Sequence, residues 1–177
     1  MGNKENQGKK AGPTEGPQIS LILESPNVRA GQQIKGIVVI KLDKVDRIID
    51  LDEIVLNLVG FERFKFVRQN KKNKKEARTH KGGQEIFQKT KRVHESTLRL
   101  KKFDEIDKSE IRQQELQYTF HYSVPHGLPS SLEASPTEYC NFEVGYFLEA
   151  HLLPCGSNKD KRVSTSHQIQ VISMPNI

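Results

Sequence analysis

The chain reads as all-β, an immunoglobulin-like β-sandwich of about seven or more antiparallel strands, and three observations carry that reading. Leu116, Tyr118, Phe120, Tyr122 and Val124 share one parity while Gln117, Thr119, His121 and Ser123 share the other, the period-two signature of a half-buried strand. Turn residues punctuate such runs, most clearly in Pro125-His126-Gly127-Leu128-Pro129-Ser130-Ser131-Leu132. Each Pro there removes a ladder donor and fixes its own backbone, so pairing stops and the chain turns a corner. Finally, no long helical period competes with the alternating runs.

Taken in order, Met1–Pro17 holds four Gly, two Pro and no aliphatic residue larger than Met1, which cannot offset the entropy of ordering and predicts a disordered tail. One domain is expected over residues 18–174. Strands are predicted at about Gln18–Glu24, Gln33–Leu42, Leu51–Phe66, Ile86–Leu100, Leu116–Val124, Phe142–Leu153 and Ser166–Ser173. Ile34, Gly36, Val38, Ile40 and Leu42 repeat the alternation in the second of these. Asn70–Gln84 has one Ala as its only apolar residue and a Gly-Gly pair, which predicts a solvated hairpin loop. In Lys101–Glu115, acidic residues early and an Arg late allow a short helix.

A chain of 177 residues can bury a core without staples. Its two cysteines, Cys140 in an expected loop and Cys155 at an expected strand end, make no disulfide framework. With no signal-like segment and no apolar run of membrane-spanning length, the expected compartment is the cytoplasm. Charge is concentrated: Arg63 to Arg92 holds twelve Lys or Arg against two Glu, a local +10 in a chain of net +6. The rest of the chain is therefore acidic, at −4. That basic loop, with Lys71, Lys72, Lys74 and Lys75 at its centre, is the leading contact candidate, and Arg29 with Lys35 forms a second, weaker patch. It suits phosphorylated tails or an anionic membrane leaflet, and equally a loop whose charges serve solubility alone. Nucleic acid is disfavoured, because no aromatics interleave with the lysines to stack bases.

No nucleotide-binding, hydrolase-elbow or His-Glu-x-x-His pattern exists in the chain. The six histidines are spread one per element, so neither catalytic, cofactor nor metal residues are assigned. His121 and His151 fall on the polar faces of their strands, which predicts solvent exposure. Gly2 meets one requirement for myristoylation, but Asn6 stands where Ser or Thr is expected, which argues against acylation.

Four segments together resemble the N-terminal domain of the arrestin-like proteins. Phe120–Leu132 is similar to the family's corner ending in P-x-x-L-P-[SG]-S-[FL], and Val144–Ala150 to its strand V-x-Y-x-[LV]-x-A. Ala30–Val39 looks like its second strand, and Ile54–Glu62 like its third with the closing G-[FYH]-E. The resemblance implies an arrestin-type sandwich and a non-catalytic, cytosolic adaptor that binds membrane-protein cargo or signalling partners in trafficking or endocytosis. The Ala30-Gly31 turn is closer to the alpha-arrestins and retromer-associated relatives, although no Pro-Pro-x-Tyr motif is present. Where receptor-binding arrestins carry two phosphate-engaging lysines, this chain has Ile22 and Leu23, which argues against phosphate sensing of that kind. No second arrestin domain follows within the sequence. A truncated product, a one-domain protein and half of a pair with a second arrestin-type domain or chain all fit that ending.

Within the corner, Pro125 and Pro129 should stop pairing while Leu128 and Leu132 plug the end of the core. The alternative to the adaptor is a peripheral membrane module recruited to anionic lipid by the basic loop 63–92. An enzyme with an unrecognised site would need convergent carboxylates, or His with Cys, in one pocket.

Overall fold

The computed structural model describes residues 16–42, 51–69, 84–104, 107–108, 113–156 and 162–173. Nine strands run through them: β1 (Gln18–Leu23), β2 (Asn27–Arg29), β3 (Gln33–Lys41), β4 (Leu51–Gln69), β5 (Gln84–Lys102), β6 (Glu115–Ser123), β7 (Leu132–Thr137), β8 (Cys140–Pro154) and β9 (Val163–Ile172). The smaller sheet has the order β1-β3-β6 and the larger β2-β9-β8-β4-β5, with β7 also on β8. Every pair is antiparallel except β2 on β9, which is parallel. That one pair departs from the all-antiparallel expectation.

Alternation explains which side chains meet between the layers. Val38, Ile40, Phe120 and Tyr122 of the smaller sheet join Ile54, Leu56, Leu58, Tyr146, Leu148, Ala150, Leu152, Ile169 and Val171 of the larger in one buried cluster. In β6 the predicted apolar face is buried throughout, with Tyr118 only half so. Gly31 turns the chain between β2 and β3 at a φ of 85°, and a Cβ there would sit 2.2 Å from the His126 ring. Glycine is thus needed for both its conformation and its size.

Two strands were not legible in advance. β2 is three residues long, too short to show a period, and only Val28 is buried. It exists because Val28 pairs with Val171, while the Gln170 and Ala30 amides donate to Pro26 and Ile172 carbonyls at 2.8 and 2.9 Å. β7 contains Pro136 and shows no alternation; its pairing with β8 slips between Ala134 and Thr137, where that Pro sits. Cys140, expected in a loop, is the first residue of β8. Asp107 and Lys108 lie in a helical turn; residues 105–106 and 109–112 of the predicted helical stretch are outside the described residues, and 101–104 and 113–115 are not helical. The Asp107 amide donates to the Asp104 carboxylate at 2.8 Å and the Asp104 amide returns one to Asp107 at 3.3 Å, a reciprocal cap. Nearby Phe103 is buried, its ring edge-on to Tyr118 at 6.0 Å.

The corner follows the sequence in most respects. Pro125 and Pro129 lie outside any strand and Leu128 is buried. The Tyr146 hydroxyl donates to the Pro129 carbonyl at 2.8 Å, and the Ser131 amide to that of Val171 at 2.8 Å. Leu132 does not plug the core: it is 50% exposed. Its cross-strand partner Val144 is buried, but β7 pairs with β8 alone and ends the sheet there, which leaves Leu132 at the rim of the core.

Candidate partner-binding surface

The buried cluster reaches along β8 as far as Val144, which is 6% exposed and one rung past the place where Gly60 pairs with Tyr146 and His94. A Cβ on Gly60 would meet the Tyr146 ring at 2.6 Å, and one on Gly145 would meet the Phe61 ring at 2.5 Å. On opposite faces of the sheet, each glycine gives its room to an aromatic ring on the neighbouring strand. Outward, Phe61 stacks on Phe147 with centroids 5.6 Å apart, and the Arg63 guanidinium lies 4.9 Å over Phe61 while donating to Glu143 at 3.1 Å. Inward, burial above all, then the Glu62 charge, pushes the Tyr146 phenol up to about 12.

Past Val144 the larger sheet runs on as an arm, built from the far ends of β4 and β5 with β8 and β7 beside them. Cross-strand pairing puts Phe64 with Lys89 and Phe142, and Phe66 with Phe87 and Cys140, on the face that continues the core. Phe64, Phe66 and Phe87 are 44, 40 and 47% exposed there. Val67 and Ile86 pair on the opposite face. Lys65, Arg68, Lys89 and Lys91 are exposed on β4 and β5 and form no ion pair among the described residues, whereas Arg92 is held by Glu95 at 2.7 Å. Glu133, Glu138 and Glu143 lie on the β7–β8 side, so the arm is basic along one flank and acidic along the other. β5 is hydrogen-bonded to β4 alone and ends the sheet, leaving its second edge without a strand among the described residues.

Lys71, Lys72, Lys74 and Lys75 fall outside the described residues. Arg29 ends β2 and Lys35 lies in β3, both exposed and on different sheets. Sequence reasoning missed the exposed Phe64, Phe66 and Phe87. The signal was the missing apolar partner run, since nothing of matching period remained to cover them.

His121 is exposed as expected, but His151 is not: it is 6% exposed although it faces away from the core. Its Nε2 lies 3.2 Å from Glu149, and it sits in a cleft lined by Glu53, Val55, Asn57, Thr97, Arg99, Leu153 and Arg162. Long side chains from neighbouring strands exclude water where strand parity alone predicts access. Cys155 accepts a hydrogen bond from the Lys108 ammonium at 3.1 Å and donates to the Leu51 carbonyl at 3.1 Å. Among the described residues no His, Cys, Asp and Glu cluster of three or more could hold a metal, and no helix is long and apolar enough to cross a membrane.

The family model described as "Arrestin (or S-antigen), N-terminal domain" matches residues 20–176. No curated protein sequence matches. Among solved structures the chain is similar to Spo0M, the sporulation control protein from Bacillus subtilis, at 16% identity and a TM-score of 0.44. That alignment covers 90% of this chain and 51% of Spo0M, so the chain spans about half the length of that protein.

Proposed function

The chain belongs to the arrestin N-terminal domain family, and from that premise we propose that it is a non-catalytic cytoplasmic adaptor that takes an extended segment of a cargo or signalling protein along the free edge of β5. The observation that carries this reading is the edge itself: a strand of 19 residues bonded on one side only. Unpaired amides and carbonyls along such an edge can add a strand from another chain. Lys89 and Lys91 on that strand favour an acidic segment, and the same lysines disfavour edge-to-edge pairing with a second copy.

Hydrogen exchange of β5, measured while the chain is titrated with an extended acidic peptide from a membrane-protein tail, tests the reading. Protection concentrated in Gln84–Lys102 is the expected result. Uniform exchange with and without peptide would remove strand addition. The exposed phenylalanines and cations of the arm also suit the alternative, a peripheral module on anionic lipid. Sedimentation with anionic vesicles that salt reverses, with no peptide protection of β5, would put that reading first.

A further inference from the structure

The inner face of the arm forms a step. Its wall is the corner Pro125–Ser131, tied to the sheet by the Tyr146 hydrogen bond to Pro129 at 2.8 Å. Its floor is the sheet beyond, where Phe64 and Phe66 of β4, Phe87 of β5, Phe142 of β8 and Leu132 of β7 share one face by cross-strand pairing around the buried Val144. Four of these five are 40 to 50% exposed, and Phe142 is partly buried against the core. Lys89 and Lys91 stand on the same face, opposite Phe64 and Glu62, and neither makes an ion pair among the described residues.

We propose that this step docks a segment of a partner protein in which large apolar side chains are interspersed with carboxylates, the apolar groups on the phenylalanine floor and the acids against Lys89 and Lys91. This rests on the adaptor reading above and names the kind of partner it takes. Contiguous apolar surface beside unpaired charge is the pattern of a docking site with its own selectivity: the floor supplies burial and the lysines select the sign.

Other occupants fit less well. The two long segments outside the described residues, 1–15 and 70–83, carry only Met1, Ala11 and Ala77 as apolar residues, too few to cover a floor of four phenylalanines and a leucine. A second copy would bring Lys89 and Lys91 against their own counterparts. A flat bilayer meets the outer parts of the arm but not the angle between floor and wall, whereas a peptide segment contacts both.

The test is a fluorescence anisotropy titration with a short acidic amphipathic peptide of Leu, Phe and Glu. Two control peptides replace Glu by Lys, or Leu and Phe by Ser. The intact chain should bind the acidic apolar probe at least about tenfold more tightly than either control, and Phe64→Ser/Phe66→Ser/Phe87→Ser should lose at least about tenfold. Lys89→Glu/Lys91→Glu, which leaves the floor intact, should reverse the preference to the Lys peptide. Equal binding of the all-polar acidic control, or no loss in either variant, overturns the step. If β5 is still protected from exchange in that case, the adaptor reading survives with the edge alone as its contact. Binding to anionic vesicles that the Phe variant abolishes, with no binding of the probe, assigns the step to lipid and overturns the proposal.

Discussion

Two stretches of the same strand behave differently. In β4, Ile54, Leu56 and Leu58 are fully buried, whereas Phe64 and Phe66, on the same face and of greater apolar area, are nearly half exposed. Their alternation is alike, and what differs is the cover: the buried cluster ends along β8 at Val144, while β4, β5 and β8 continue past it. One strand thus serves stability in its first half and presents surface in its second. The lesson is that a period-two pattern reports which residues share a face, not whether that face has a partner.

The largest effect should come from the covered half. Leu56→Ala removes a fully buried side chain and should cost about 2–5 kcal/mol. Phe64→Ser, in the uncovered half, should stay within about 0.5 kcal/mol. Denaturant midpoints of the two variants check this, and a comparable loss from Phe64→Ser would mean that the arm is packed in solution. The boundary should be intermediate. Gly145→Ala places a Cβ 2.5 Å from the Phe61 ring and should cost about 1–3 kcal/mol, since the ring must leave its stack on Phe147. A neutral Gly145→Ala would show that the ring moves freely and that the boundary is soft.

The smallest effect is one of pH. The Tyr146 phenol is raised from the ordinary 10.0 to about 12, so the neutral form is favoured in the folded chain. Its contribution is fully present below the ordinary value and is lost as pH rises through about 12. Burial raises the Tyr118 phenol as well, so tyrosinate absorbance should show late ionisation from both, of which Tyr146→Phe removes one. Titration of all four tyrosines together near the ordinary value would contradict the packing around Tyr146.

Much of the sandwich was legible because β6, the corner and β8 carry their own patterns: strict alternation in Leu116–Val124, two prolines that stop pairing, and a second run through Val144 and Ala150. β2 and β7 were not, since three residues show no period and a Pro-containing run argues against a strand; β9, distant in sequence, holds β2, and β8, the next strand along the chain, holds β7. Leu132 and His151 were misjudged for a shared reason. Each was assigned from its own strand, but exposure depends on neighbouring strands, which leave Leu132 uncovered and close over His151.

For the candidate surface, the sequence by itself determined the chemistry: basic charge concentrated from Arg63 to Arg92, with phenylalanines at its flanks. It also determined the sandwich, because alternation and prolines act through local sterics that every chain of this pattern obeys. Tertiary structure alone decided that Phe64, Phe66, Phe87, Phe142 and Leu132 share one face and that Lys89 and Lys91 stand beside them. The reason is register. Which residues meet across a sheet, and where the opposite layer ends, are set by pairings between segments far apart in the chain, and no local pattern encodes them.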